Sequence, residues 1–331
     1  MTRMRIMNQK VQCELCPRFC IIEPGQSGDC RVRINIDGVL RSVVYGYPCS
    51  MNIDPVEKKP LFHFLPGTPI LSLATVGCNL HCLNCQNWEI SQLNPEDSTA
   101  AHIPPEQLVA FAKQHKSPSI AYTYTDPIAY YEYAYDISRL ARQAGLRNVL
   151  VTAGYCNPKP WRRLLEVTDV ARIDLKGMTD EFYRKFCSGT VGPVQQCLID
   201  AVAMGVHVEV INLIIPTLND KPDDIRQLAK WVKTNLGSDI PLHFSGFYPQ
   251  YKMQHLPPTS PETLDLARQI AMGEGLYYVY IGNIRSKEGE NTYCPGCHKL
   301  LIERQGFVVV QNLLKDGYCP ACGKKIYGVW V

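Results

Sequence analysis

The stretch "VGCNLHCLNCQNW" (76–88) carries three cysteines in the pattern Cys78-x3-Cys82-x2-Cys85, with no fourth cysteine close by. Thiolates hold zinc and iron–sulfur clusters, but a closed zinc site and a self-sufficient cluster each take four protein ligands. Three thiolates can hold three irons of a [4Fe–4S] cluster and leave the fourth iron open to a small molecule with its own nitrogen and oxygen donors. An amino acid chelates such an iron through its amine and carboxylate, and S-adenosylmethionine (SAM) carries that group beside a sulfonium. An electron from a low-potential cluster can cleave the sulfonium carbon bond reductively. The product is a 5′-deoxyadenosyl radical, which abstracts hydrogen from unactivated carbon. The competing reading is a zinc site completed by His81 or by a distant residue.

Two more cysteine groups flank this loop. Cys294, Cys297, Cys319 and Cys322 form C-x2-C, 21 residues, then C-x2-C, close to the spacing of a zinc ribbon whose two knuckles are joined by a strand hairpin. Cys13, Cys16, Cys20 and Cys30 form C-x2-C-x3-C-x9-C, four thiolates that suit either zinc or a second iron–sulfur cluster. Most of the fifteen cysteines are clustered in this way, which favours metal binding in a reducing cytosol over disulfides, so the expected location is cytoplasmic. Cys49, Cys156, Cys187 and Cys197 stand apart and read as small buried residues, with Cys156 the one placed to face a cavity. A net charge of +3 over 331 residues argues against a nucleic-acid or membrane partner. The opening "MTRMRIMNQK" lacks the apolar core of a signal peptide, and the longest apolar run, "PILSLATVG", is too short to span a bilayer.

These groups need a scaffold. Short β-branched runs predict strands at 70–75, 119–124, 148–153, 170–175, 207–215, 242–247 and 277–282, with helical periodicity between them. "PPEQLVAFAKQH" has Pro in its first turn, and "SPETLDLARQIAMGEG" pairs a Ser cap with a terminal Gly. Strands alternating with helices imply a parallel sheet. The expected fold is α/β, a partial TIM-like barrel with small cysteine-rich appendages; a doubly wound sheet is the alternative. Three regions follow: 1–65, an N-terminal metal-binding region; 66–290, the barrel; and 291–331, the C-terminal ribbon.

A triad of this spacing after the first strand of a βα barrel resembles the radical SAM superfamily. With "CELCPRFCIIEPGQSGDCRVR", "DPVEKKPLFHFLPG", "YTYTDP", "DLKG", "NLIIPTLND" and "YVYIGN", the chain is similar to pyruvate formate-lyase activating enzyme. It resembles more specifically the radical enzyme of the AmmeMemoRadiSam system. The resemblance implies a [4Fe–4S] cluster on Cys78, Cys82 and Cys85. It implies SAM contacts from Tyr124, Thr125 and Asp126, from Asp174 and Lys176, and from Asn212, Ile281 and Asn283. It further implies an electron donor such as a flavodoxin or ferredoxin, and either a protein substrate or a Memo-like partner. Other readings stay open for several of these residues: Asp126 before Pro127 is a good helix cap, Asp174 and Lys176 suit an exposed ion pair, and "YIGN" suits a buried last strand. "EKKPL" (57–61) reads as a solvated charge run or a docking surface, and Glu209 inside an apolar strand is expected to point into the barrel. The chain departs from the family at Asn84, usually aromatic, at Asp126, usually Glu, and at Gly246, Tyr248 and Gln250, often Arg, His and Asp. Competing functions are a zinc-knuckle nucleic-acid-binding module and a metal-sensing scaffold.

Overall fold

The structure is a computed structural model that describes residues 6–7 and 9–331. Near the start, β1 (Ile6–Met7), β2 (Lys10–Gln12) and β3 (Ile21–Ile22) form a small sheet, followed by the hairpin of β4 (Arg33–Ile36) and β5 (Val39–Ser42). The main sheet has eight strands: β6 (Ser50–Pro55), β7 (Pro69–Ala74), β8 (Ser119–Tyr122), β9 (Arg147–Thr152), β10 (Val170–Asp174), β11 (His207–Ile214), β12 (Leu242–Gly246) and β13 (Val279–Gly282). Each strand pairs with the next in the chain. All these pairs are parallel except β6 with β7, which is antiparallel.

Strands laid down strictly in sequence give no point at which the order reverses, which removes the doubly wound alternative. No pairing closes β13 onto β6 among the described residues, so the sheet is open rather than a sealed barrel. The seven strands expected from β-branched runs are all present, with ends shifted by at most two residues. The eighth, β6, reads "SMNIDP" and carries no strand signal. It is a partly exposed edge, where Pro55 costs no ladder bond.

The helices α1 (Trp88–Ser91), α2 (Pro105–Gln114), α3 (Tyr131–Gln143), α4 (Pro158–Leu165), α5 (Asp180–Cys187), α6 (Val191–Ala203), α7 (Pro222–Asn235) and α8 (Pro261–Gly273) fill the crossovers. Four of them start with Pro in the first two positions, where its missing N–H is no loss. Trp161, Leu164, Leu228 and Leu264 pack into one core with Val210 and Phe244 of the sheet. None of these helices is long and apolar enough to cross a membrane.

At the tail, β14 (Thr292–Tyr293), β15 (Leu300–Gln305) and β16 (Val308–Asn312) form a third sheet. It packs on the amino end of the main sheet through Leu301, Ile302 and Ile326 against Phe62, Tyr278 and Tyr280. Glu209 organises that end. It is fully buried and accepts from the backbone N–H groups of Phe62 (3.1 Å) and His63 (2.9 Å) and from His207 (3.2 Å) and His243 (2.7 Å). His63 in turn contacts the Tyr280 hydroxyl at 2.6 Å and the Tyr327 carbonyl at 2.5 Å, tying the ribbon to the sheet. Glu209 thus lies on the inward face of β11, with Ile211 and Leu213, as expected, but its hydrogen bonds are all taken by protein groups and it does not line the cavity.

Candidate active site

A cavity of about 820 Å³ runs to the carboxyl ends of the strands, within the size range that holds a nucleoside-bearing ligand. The triad loop leaves β7 through Gly77, whose φ of +87° and surroundings demand glycine: an added Cβ would lie 2.4 Å from Val32 and 2.8 Å from the Cys30 carbonyl. The sulfurs of Cys78, Cys82 and Cys85 then face the cavity. The loop is pinned by backbone bonds from His81 to the Cys187 carbonyl and from Leu83 to the Phe186 carbonyl. His81 does not complete the triad: its ring nitrogens face Gln92 (2.9 Å) and Asp29 (2.8 Å). The donor set is three soft thiols open to a cavity, which fits a cluster with one free iron and not a closed zinc site. Burial pushes the Cys78 and Cys85 thiols up, while the Cys187 thiol and then the Lys176 charge draw Cys82 below its ordinary value.

Tyr124, Thr125, Asp126, Asp174, Lys176, Ile281 and Asn283 all line this same cavity. Asp126 is buried, and its carboxylate accepts from Ile128 N–H (3.0 Å), Ala153 N–H (2.8 Å) and the Thr152 hydroxyl (3.0 Å). It is not a helix cap, since α3 begins only after Tyr130. Asp174 ends β10 and Lys176 follows two residues beyond it, and both face the cavity. They form a largely buried pair at 2.9 Å, with Arg172 also on Asp174, rather than an exposed one. Burial opposes the Lys176 charge, but Asp174, Cys82 and Cys187 hold its pKa well above the ordinary value. Asn212 is the exception among the expected contacts. Its side chain does not line the cavity and donates to the Leu175 carbonyl at 2.7 Å; Ile211 and Leu213 point inward instead, because alternation sends 212 to the other face.

The sequence pattern described as the Radical SAM superfamily matches residues 72–232. An uncharacterized protein of Methanocaldococcus jannaschii is 48% identical over 324 residues, covering 97% of this chain and 96% of that protein. The chain belongs to the radical SAM superfamily. The pyruvate formate-lyase-activating enzyme of Clostridium pasteurianum is 24% identical over 159 residues, 47% of this chain and 66% of that enzyme. A radical SAM methyltransferase from Sphaerobacter thermophilus shares the fold, with a TM-score of 0.52 at 14% identity over 68% of each chain.

In this radical SAM protein several cavity residues escape sequence reading. "EKKPL" is not a solvated run: Glu57, Lys59 and Leu61 are buried. Lys58 and Lys59 line the cavity and pair with Asp54 at 2.9 and 2.5 Å, and Lys59 sits 4.6 Å over the Tyr124 ring. Burial lowers the Lys59 pKa to about 8 against the pull of Asp54. Arg172 and the ribbon's hairpin residue Phe307 also reach the cavity. The period-two pattern could have flagged Arg172, on the face of Asp174; nothing in the sequence flags Phe307. Cys156 is buried, its thiol donating to the Leu15 carbonyl, and does not line the cavity.

At the C-terminus the four sulfurs lie within 4.8 Å of one another, with Cys294 and Cys322 at 3.5 Å and Cys297 and Cys319 at 3.7 Å. Zinc at about 2.3 Å from four sulfurs gives a tetrahedron with edges of about 3.8 Å, so this group can hold a metal ion.

Proposed function

We propose that this radical SAM enzyme binds a [4Fe–4S] cluster on Cys78, Cys82 and Cys85 and cleaves SAM reductively, and that it abstracts hydrogen from a substrate in the manner of an activating enzyme. The observation that carries this reading is the convergence of three otherwise unligated thiols with Asp126 and the Asp174–Lys176 pair on one cavity. When bound, the cluster and SAM together supply a 5′-deoxyadenosyl radical. The chain's own part is to bind and orient. Asp126 keeps lone-pair capacity beyond its protein donors for the amine end of SAM, and Lys176 has N–H groups beyond its bond to Asp174 for the carboxylate. Thr125, anchored to the Thr75 carbonyl at 2.8 Å, fixes the loop that carries Asp126. Tyr124, Ile281 and Asn283 form the wall on which the nucleoside end rests.

The C-terminal ribbon is read as a structural zinc site, and residues 1–65, 66–290 and 291–331 as the metal-binding region, the catalytic partial barrel and the ribbon. A low-potential flavodoxin or ferredoxin supplies the electron in the cytoplasm. The finer assignment, supported by the quoted motifs alone, is the AmmeMemoRadiSam system, with a glycyl-radical protein or a small molecule handled with a Memo-like partner as substrate. The test is anaerobic incubation of the reconstituted protein with SAM and dithionite, in extracts with and without candidate partners. The reading expects 5′-deoxyadenosine in both, with more when the substrate is present; no 5′-deoxyadenosine from protein of full iron content sinks it.

A further inference from the structure

Cys13, Cys16, Cys20 and Cys30 all line one small cavity of about 20 Å³ between β3, the β4–β5 hairpin and the triad loop. Among the described residues the C-terminal group is the only set of three or more such ligand atoms within 4.8 Å of one another; no three of the N-terminal sulfurs come that close. The two groups thus differ in kind. Four sulfurs around one zinc would lie about 3.8 Å apart and touch, leaving no void among them. Here they ring a gap with room for a water-sized body, while the rest of its wall is largely apolar, including Leu15, Ile22 and Ile128. Thiolates spaced around a gap match a cluster that stands between its ligands better than a single ion that draws them into contact.

The surroundings suit an anionic cluster. The buried Arg33 guanidinium lies beside Cys13 and Cys30 and is held from behind by Glu132, with both hydrogen bonds at 2.7 Å. The site also abuts the catalytic loop. Arg18 donates to the Asn79 carbonyl at 2.7 Å, and the Cys30 carbonyl backs Gly77.

We propose that Cys13, Cys16, Cys20 and Cys30 hold a second, fully protein-ligated [4Fe–4S] cluster directly behind the triad loop. The proposal extends the SAM-cluster reading but does not depend on it for its test. The full chain, reconstituted anaerobically, is assayed for iron, acid-labile sulfide and zinc, and by electron paramagnetic resonance after dithionite reduction with and without SAM. The expected wild-type content is about eight iron, about eight sulfide and about one zinc per chain, with SAM changing only one of two signals. The triple Ala variant of Cys78, Cys82 and Cys85 should keep about four iron with a signal that ignores SAM. The Cys13→Ser/Cys16→Ser variant should lose that signal and keep the SAM-responsive one. About four iron and two zinc in the wild type, with no iron left in the triad variant, overturns the proposal while leaving the SAM site intact. Iron retained on the N-terminal set with no SAM response anywhere would instead sink the SAM reading and leave this one standing. Because the wild-type count and spectrum decide the matter, a variant that fails to fold does not.

Discussion

The two ends of the main sheet both bury charge, and they use it differently. At the amino end, Glu209 has its four lone-pair positions filled by four donors, two from the backbone and two from histidines. At the carboxyl end, Lys176 donates to Asp174 alone among the described residues, so part of its hydrogen-bonding capacity faces the cavity. A buried charge whose partners are complete holds a fold together; one left incomplete beside a cavity waits for a ligand. Both residues look alike in sequence, as charges on apolar strands, and only their partners separate them.

The largest effect should come from the completed end. Glu209→Ala leaves His207, His243 and two backbone N–H groups without an acceptor, and breaking such a buried network costs about 3–5 kcal/mol. Urea unfolding should show this loss, while the folded fraction keeps its SAM affinity; a loss below 1 kcal/mol would erase the contrast between the ends. The same end should be acid-sensitive. Burial holds His63 neutral, its pKa lowered from 6.5 to about 3 with Glu209 pulling the other way. The unfolded chain therefore takes up a proton in that window that the folded chain refuses. Stability from this group is complete above about 6.5 and falls as the pH drops towards 3, by up to about 1.4 kcal/mol per pH unit. Denaturant midpoints at pH 7 and pH 5 check the sign.

At the incomplete end the deficit should fall on ligand binding. Lys176→Ala or Asp126→Ala removes a partner from a desolvated group of SAM, a loss of roughly 1–3 kcal/mol, and should weaken SAM binding about tenfold or more at unchanged cluster content. Unchanged affinity in both would make the carboxyl end as structural as the amino end. The smallest effect belongs to the cavity's edge. Lys58 shares Asp54 with Lys59 but is about half exposed, so Lys58→Ala should cost at most about 1 kcal/mol in thermal or urea unfolding, and less than Lys59→Ala.

The parallel strands and the triad were legible because each depends on local pattern: β-branched runs buried on both faces, and ligands close together in one loop. β6 was not legible, because an edge strand needs neither apolar alternation nor freedom from proline. Asn212 was expected to contact SAM with no face assigned to it, because its register against β10 and β12 is fixed only in three dimensions. The fates of Lys59 and Phe307 depend on contacts across long stretches of chain, from Asp54 and Lys59 to Tyr124 and from the ribbon to the sheet, that spacing in sequence cannot carry.

The central claim is that the cavity seats SAM on a cluster held by Cys78, Cys82 and Cys85. It is tested most directly by titrating SAM into reduced wild-type protein and the triple Ala variant at matched protein concentration, following the cluster's paramagnetic signal and 5′-deoxyadenosine together. The wild type should show a SAM-dependent signal and form 5′-deoxyadenosine, and the variant should show neither. A variant that still forms 5′-deoxyadenosine with a SAM-responsive signal would contradict the account.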